Sequence, residues 1–208
     1  MFLSRIALNP DERNTMFALH SSNIFHGALE SCFPGERKRR LWRLDRLNGA
    51  LYILILSDED PNLSPFCKQF GLAENAWETK DYDLLLKRLA TGTLWRFRLT
   101  ANSRKRGISN QDGVTGKIYA HVTTKHQKEW LLERAEKHGF QISEDSFDVV
   151  ESQWKQFHKK AEHKITIFSV TYEGILKITD VDLFRKALTE GIGHAKAYGM
   201  GLLTVTRL

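Results

Sequence analysis

The sequence predicts an α+β protein made of two consecutive βαββαβ units. Three observations carry this. Apolar runs with strand and helix spacing follow one another in much the same order twice along the 208 residues. Asn48-Gly49 stands between two apolar runs, and that dipeptide is the strongest short hairpin signal because a type I′ turn needs positive φ at both central positions. LWRFRL at 94–99 alternates strictly, with Trp95, Phe97 and Leu99 on one face and Arg96 and Arg98 on the other. The length suits one large domain or two small ones. The order of elements places the division at residue 91, giving units 1–91 and 92–208.

Taken in order, residues 2–8 read as a first strand ended by Asn9-Pro10, followed by a polar connection. Ser22-Asn23 offers a helix N-cap, Ile24, Phe25, Ala28, Leu29 and Cys32 recur at helical spacing, and Pro34-Gly35 stops the helix. Residues 41–47 and 50–57 form the hairpin. A loop spans 58–65, and helical pieces are expected at 66–70 and 83–89. After the strand at 94–99 comes a polar, basic loop, 102–117, long enough to suggest a functional segment. A helix over 124–138 turns Trp130, Leu131, Leu132 and Ala135 inward and ends at Gly139. Strands are expected at 147–150, 165–172 and 175–178, the last two folded into a hairpin at Glu173-Gly174. Thr179 with Asp182 reads as a capping-box variant opening a helix whose core face is Val181, Phe184, Ala187 and Leu188. Residues 202–206 close as a strand. Each half thus follows the ferredoxin-like (RRM-like) order, without a close sequence repeat between the halves. No RNP-type aromatic pattern is present.

The net charge is +6, which points to a polyanionic partner, nucleic acid first. The positive charge clusters in RKRR at 37–40, RKR at 104–106 and KQFHKKAEHK at 155–164. The first cluster, at a helix-to-strand turn, reads as solvated surface and is left out of the site. No segment is apolar enough for a bilayer span, MFLSRIALNP does not read as a signal peptide, and Cys32 and Cys67 form neither a CxxC pair nor a zinc pattern. A cytoplasmic, reducing setting is expected. The eight histidines make no metal-ligand set, and neither HExxH nor GxSxG occurs. No cofactor and no metal are therefore expected.

Residues 191–205, GIGHAKAYGMGLLTV, concentrate Gly191, Gly193, Gly199 and Gly201 around His194 and Lys196. The spacing is neither a dinucleotide fingerprint nor a P-loop. Two readings stand: a phosphate-holding turn with bared N–H groups, or a helix C-cap turning into a last strand. His26 lies roughly 130° from the centre of its helix's apolar stripe, so it points off the core. It is either a solvated surface histidine or a proton-transfer group. Beside a phosphate-holding turn it could cleave RNA, with the 2′-hydroxyl as nucleophile and lysines stabilising the phosphorane.

The segment SNIFHGALESCFPG (22–35), the hairpin LWRLDRLNGALYILIL, the strand WRFRLTAN with FRLTAN at 97–102, and the ending GIGHAKAYGMGLLTV resemble the CasE family, the precursor-RNA endoribonucleases of type I-E CRISPR systems. The resemblance covers nearly the whole chain. It implies a metal-independent enzyme that binds the stem-loop of the CRISPR repeat RNA, cuts at the 3′ base of the stem and leaves a 2′,3′-cyclic phosphate. It also implies that the protein keeps its product and joins other Cascade subunits, with no direct DNA contact, no membrane partner and a monomeric state on its own. His26 matches the position of the family's catalytic histidine; His20 precedes the helix and does not. Some members carry a tyrosine three residues before that histidine, where this chain has Asn23, an amide able to position a phosphate but not to act as an acid near neutral pH. Lys160, with Lys159 as alternative, falls where the family places charge-stabilising residues. With that family in view, the expected RNA contacts are Asn23, Arg96, Arg98, Asn102, Arg104, Lys105, Arg106, Lys117, Lys155, Lys159, Lys164, His194 and Lys196. The alternative is a non-catalytic RNA-hairpin-binding subunit of the same complex.

Overall fold

The fold is that of a computed structural model describing residues 1–35, 38, 40–107, 118–158 and 164–208, with Arg106 described by its backbone only. The first sheet consists of β1 (Phe2–Leu8), β2 (Leu41–Leu47), β3 (Ala50–Ser57) and β4 (Trp77–Asp81) in the order β2-β3-β1-β4, all antiparallel. The second consists of β5 (Leu94–Asn102), β8 (Phe140–Gln141), β9 (Phe147–His158), β10 (Lys164–Ile178) and β11 (Leu203–Thr206), in the order β11-β5-β10-β8, with β9 also on β10. The first sheet runs 4-1-3-2 when read from β4, and the second gives the same ferredoxin-like order over β5, β9, β10 and β11, with the short β8 added beside β10. A separate two-stranded ribbon, β6 (Arg104–Arg106) with β7 (Ile118–Ala120), projects between β5 and α5 (Thr124–Ala135).

In the first unit, α1 (Arg13–His20), α2 (Ser22–Ser31) and α3 (Ser64–Phe70) cover one sheet face. Phe25, Leu29, Phe66 and Phe70 meet Ile6, Leu51, Ile53 and Ile55 there. Strand alternation then sends Leu41 and Leu56 through to the opposite face, where they join the core of the second unit with Trp95, Phe97, Leu99, Trp130, Phe184 and Leu188. The short helix α4 (Asp83–Leu86) lies between the units; Leu85, Leu86 and Leu89 pack on that second core.

The seam itself is charged. Arg43, 1% exposed, and Asp45, 2% exposed, stand on the same face of β2 and form a two-bond ion pair, both bonds 2.7 Å. The guanidinium also donates to the carbonyls of Arg98 (2.9 Å) and Leu202 (2.7 Å) and to Thr204 Oγ1 (2.9 Å) in the second unit. Every contact that a buried cation needs is therefore made, three of them across the seam.

Several local expectations need correction. Residues 13–20 are not a polar connection but α1, and Ser21 alone separates it from α2. Ser21, rather than Ser22-Asn23, is the N-cap of α2, and Ile24 is exposed. A strand at 77–81 was not expected. Glu173-Gly174 is no turn: β10 runs unbroken through it. Gly174 is needed because a Cβ there would lie 2.3 Å from the Ser146 carbonyl oxygen and 2.4 Å from Phe147 Cβ, where the neighbouring chain presses close. Asp180, not Thr179, caps α6 (Val181–Glu190), accepting from the N–H groups of Asp182 (3.0 Å) and Leu183 (2.9 Å). The hairpin is as expected, with Asn48 at φ 50° and Gly49 at φ 81°.

Replacing Asp45 with Ala leaves the Arg43 guanidinium buried without its counter-charge. Loss of one partner of a buried pair costs roughly 3–5 kcal/mol, so the urea midpoint followed by tryptophan fluorescence should fall accordingly. An Arg43→Met/Asp45→Leu double variant, which removes both charges, should recover most of that loss.

Candidate active site and basic groove

The glycine-rich segment is the joint between the units. Gly191 (φ 75°) ends α6 and lies against Leu41 and the Gly201 carbonyl. Gly199 (φ 79°) faces the indole of Trp42 in β2, where a Cβ would sit 2.9 Å from the ring. Gly193 (φ 84°) faces Trp130 of α5, at 3.3 Å. Side chains are excluded here because the backbone must pass between two tryptophans in conformations only glycine adopts easily. Ala195, at φ 64°, adopts the left-handed conformation without being glycine.

This segment walls a cleft of about 520 Å³ lined by His26, Glu30, Lys38, Arg40, His194 and Lys196. α2 supplies His26 and Glu30, one helical turn apart on one face. Its core face, Phe25 and Leu29, fixes the helix on the sheet and leaves His26 half-buried at the cleft. Arg40, almost fully buried, is held by Glu59 (2.9 Å) and Glu30 (3.9 Å) and lies 3.8 Å from the centre of the Phe33 ring. Lys196 Nζ donates to the Glu190 carbonyl (2.6 Å), pinning the turn that carries it. His194 also lines a second cleft of about 330 Å³ with Arg104 and Lys105 of the ribbon, His121, and Glu133 and Arg134 of α5. The two clefts therefore meet at His194 and form a groove from His26 to the ribbon. Burial, and then Lys105 and His126, hold His121 below the ordinary histidine range, with Glu133 opposing them.

Of the expected contacts, His26, His194 and Lys196 share the first cleft, and Arg104 and Lys105 share the second. Asn23 sits at the entrance to α2, where its amide donates to the His158 carbonyl (3.3 Å) and its oxygen accepts from Ser21 Oγ (2.6 Å), so it ties α2 to the end of β9. Lys164 is exposed and pairs with His158 in the ladder. The other described contacts lie outside these two clefts. Arg98 is held by Asp45 (3.2 Å) and by Glu173. Asn102 is buried at the end of β5. Lys155 lines a different cleft, with His20, Arg46 and Glu151, and burial pulls its ammonium below the ordinary lysine range. Arg96 is exposed and lines another cleft, with Asp148 and Glu173. Lys117, Lys159, Lys160 and the Arg106 side chain lie outside the described residues. Reading the sequence missed Glu30, Lys38 and Arg40. The i, i+4 spacing from His26 marks Glu30, whereas Lys38 and Arg40 belong to a run set aside as solvated surface.

Two ferredoxin-like units, a histidine on the first helix and a glycine-rich joint opening onto a basic ribbon define a class of two-unit RRM-like proteins with a composite cleft. The chain belongs to the CRISPR-associated protein family, whose model matches residues 1–207. The CRISPR-associated endoribonuclease Cse3 of Thermus thermophilus is 29% identical over 222 aligned positions that take in 99% of each chain. A structure of the CRISPR endoribonuclease Cse3 bound to 19-nucleotide RNA superposes with a TM-score of 0.83 at 26% identity, covering 99% of this chain and 100% of that one. A chain of a CRISPR RNA-guided surveillance complex shares the fold, with a TM-score of 0.71 at 23% identity and full coverage of both chains. Among the described residues, no helix is long and apolar enough to cross a membrane.

Two outcomes follow from the site. Gly199→Ala, strained at positive φ and pressed on Trp42, should lower the thermal midpoint, whereas Gly27→Ala, on α2 with open space around it, should raise stability by about 0.5–1 kcal/mol. By NMR titration, His121 should protonate below the ordinary 6.5. The unfolded chain then takes up that proton first, so the contribution of His121 to stability should decline as pH falls through 6.5 and level off once the folded imidazole is charged.

Proposed function

We propose that this chain is an endoribonuclease that binds the stem-loop of CRISPR repeat RNA and cuts it at the 3′ base of the stem without a metal ion, leaving a 2′,3′-cyclic phosphate. The observation that carries the reading is the groove. His26 shares a cleft with the glycine-rich turn, and His194 links that cleft to the basic ribbon. The family membership and the endoribonuclease Cse3, similar along the whole chain, support it.

An A-form stem presents phosphates and a shallow groove, so recognition rests on shape and positive charge. In this reading Arg104 and Lys105 meet the stem, while Lys38 and Lys196 meet the scissile phosphate. In-line attack by the 2′-oxygen builds negative charge on the phosphorane, which fixed cations in a cleft stabilise without having to reorganise. Arg40 suits this role, because Glu59 and Phe33 hold it in place before RNA arrives. His26 handles the proton of the 2′-hydroxyl. Lys160 is assigned to the same charge stabilisation from its place in the sequence. Asn23 holds α2 against the end of β9 and so aligns His26 through the backbone rather than by touching the phosphate. In this reading the product stays bound, and the protein works in the cytoplasm as a Cascade subunit.

Repeat RNA incubated with the protein in excess EDTA should be cut, and a copy with a 2′-deoxy at the scissile nucleotide should not. His26→Ala should lose on the order of 10²–10⁴-fold in single-turnover rate while its affinity for the deoxy hairpin stays unchanged. Tight binding with no cleavage by the parent protein would favour a non-catalytic subunit. Affinity should fall steeply with salt, and Lys105→Ala should make that slope shallower by close to one charge.

A further inference from the structure

We propose that His194 is the acid of the reaction, protonating the departing 5′-oxygen while His26 accepts the proton of the 2′-hydroxyl. This rests on the endoribonuclease reading of the cleft and assigns the second proton transfer within it.

The cleft, at about 520 Å³, has room for one nucleotide and its phosphate. His26 comes from α2 of the first unit and His194 from the glycine-rich joint of the second, so the two imidazoles belong to separately built walls. Cleavage needs two such groups. The 2′-oxygen–phosphorus bond forms as the 2′-hydroxyl proton passes to His26. The phosphorus–5′-oxygen bond breaks as a proton passes from the His194 imidazolium to the leaving oxygen. His26 ends protonated and His194 neutral, and exchange with water resets both.

The other described groups facing His194 do not fill this role. From its own segment and the first cleft these are Lys196, Lys38, Arg40 and Glu30. From the ribbon, β7 and α5 they are Arg104, Lys105, His121, Glu133 and Arg134. Lysine and arginine hold their protons near neutral pH and stabilise charge instead. Glu30 is ion-paired with Arg40, and Glu133 and His121 line the second cleft, which His26 does not. Asn23 is an amide and donates to the His158 carbonyl. The backbone gives a second, independent sign. His194 is flanked by Gly193 at φ 84° and Ala195 at φ 64°, and non-glycine residues kept in the left-handed region cluster at active sites and ligand clamps.

The test uses the full-length protein and two repeat hairpins, one ordinary and one with sulfur replacing the 5′-bridging oxygen at the scissile phosphate. A thiolate leaves without a proton. His194→Ala should lose on the order of 10²-fold or more on the ordinary RNA, the usual worth of a general acid, and keep most of its rate on the sulfur substrate. His26→Ala should be slow on both. His194→Gln, which keeps size and hydrogen bonding but cannot release a proton, should behave like His194→Ala and serves if the alanine variant does not fold. Equal loss on both RNAs would make His194 a binding residue and overturn the inference, as would no loss on either. If the unaltered protein cuts neither RNA, the endoribonuclease reading itself fails, an outcome distinct from the others.

Discussion

A buried arginine holds the two halves of this molecule in register. Arg43 points from the edge strand of one sheet into the other and finds there two carbonyls and a hydroxyl, while Asp45 beside it supplies the counter-charge. A charged group in such a place tolerates little displacement, because any shift leaves it or a carbonyl unpaired in a low-dielectric setting. An apolar seam would be able to slide; this one has a single register. On the same strand, Leu41 and Trp42 meet Gly191 and Gly199, so β2 sets the sheet-to-sheet register and the course of the glycine-rich segment together.

That coupling explains how the cleft is made. Neither unit contains it. The first contributes the face of α2 and the buried arginine at the head of β2; the second contributes the turn with His194 and Lys196. The amide of Asn23 adds another tie, between α2 and the far end of β9. The strained turn, with a left-handed alanine amid glycines, persists because Trp42 and Trp130 confine it from both sides.

The sequence showed those parts of the fold whose causes are local. Asn48-Gly49 dictates its turn through backbone conformation alone, and the alternation of Trp95, Phe97 and Leu99 marks a half-buried strand whatever covers it. Features caused by distant neighbours were not legible. The helix α1 buries only Thr15 and Ala18 and exposes Met16 and Phe17, so it carries no apolar stripe to read. Gly174 looks like turn chemistry until Phe147 is seen against it. Arg40 looks like one charge in a solvated run, but Glu30 and Phe33 at the end of α2 and Glu59 beyond β3 enclose it. Arg98 looked available for the same reason that Arg43 looked ordinary: the strand pattern shows which face a side chain takes, not what lies opposite. His26 and the glycine-rich turn were legible as separate motifs, and only the fold shows that they face one another.

The bonds from Arg43 to Leu202 and Thr204 join positions 159 and 161 residues apart. Contacts of such long range form late, after the segments between them are ordered. During synthesis, α2 and its histidine leave the ribosome long before the glycine-rich segment does, and domains generally fold in that order. A nascent chain therefore carries the first wall of the cleft without the second. The cleft is complete only once β11 has been made and has docked, so the topology itself sets the order in which its two walls come together.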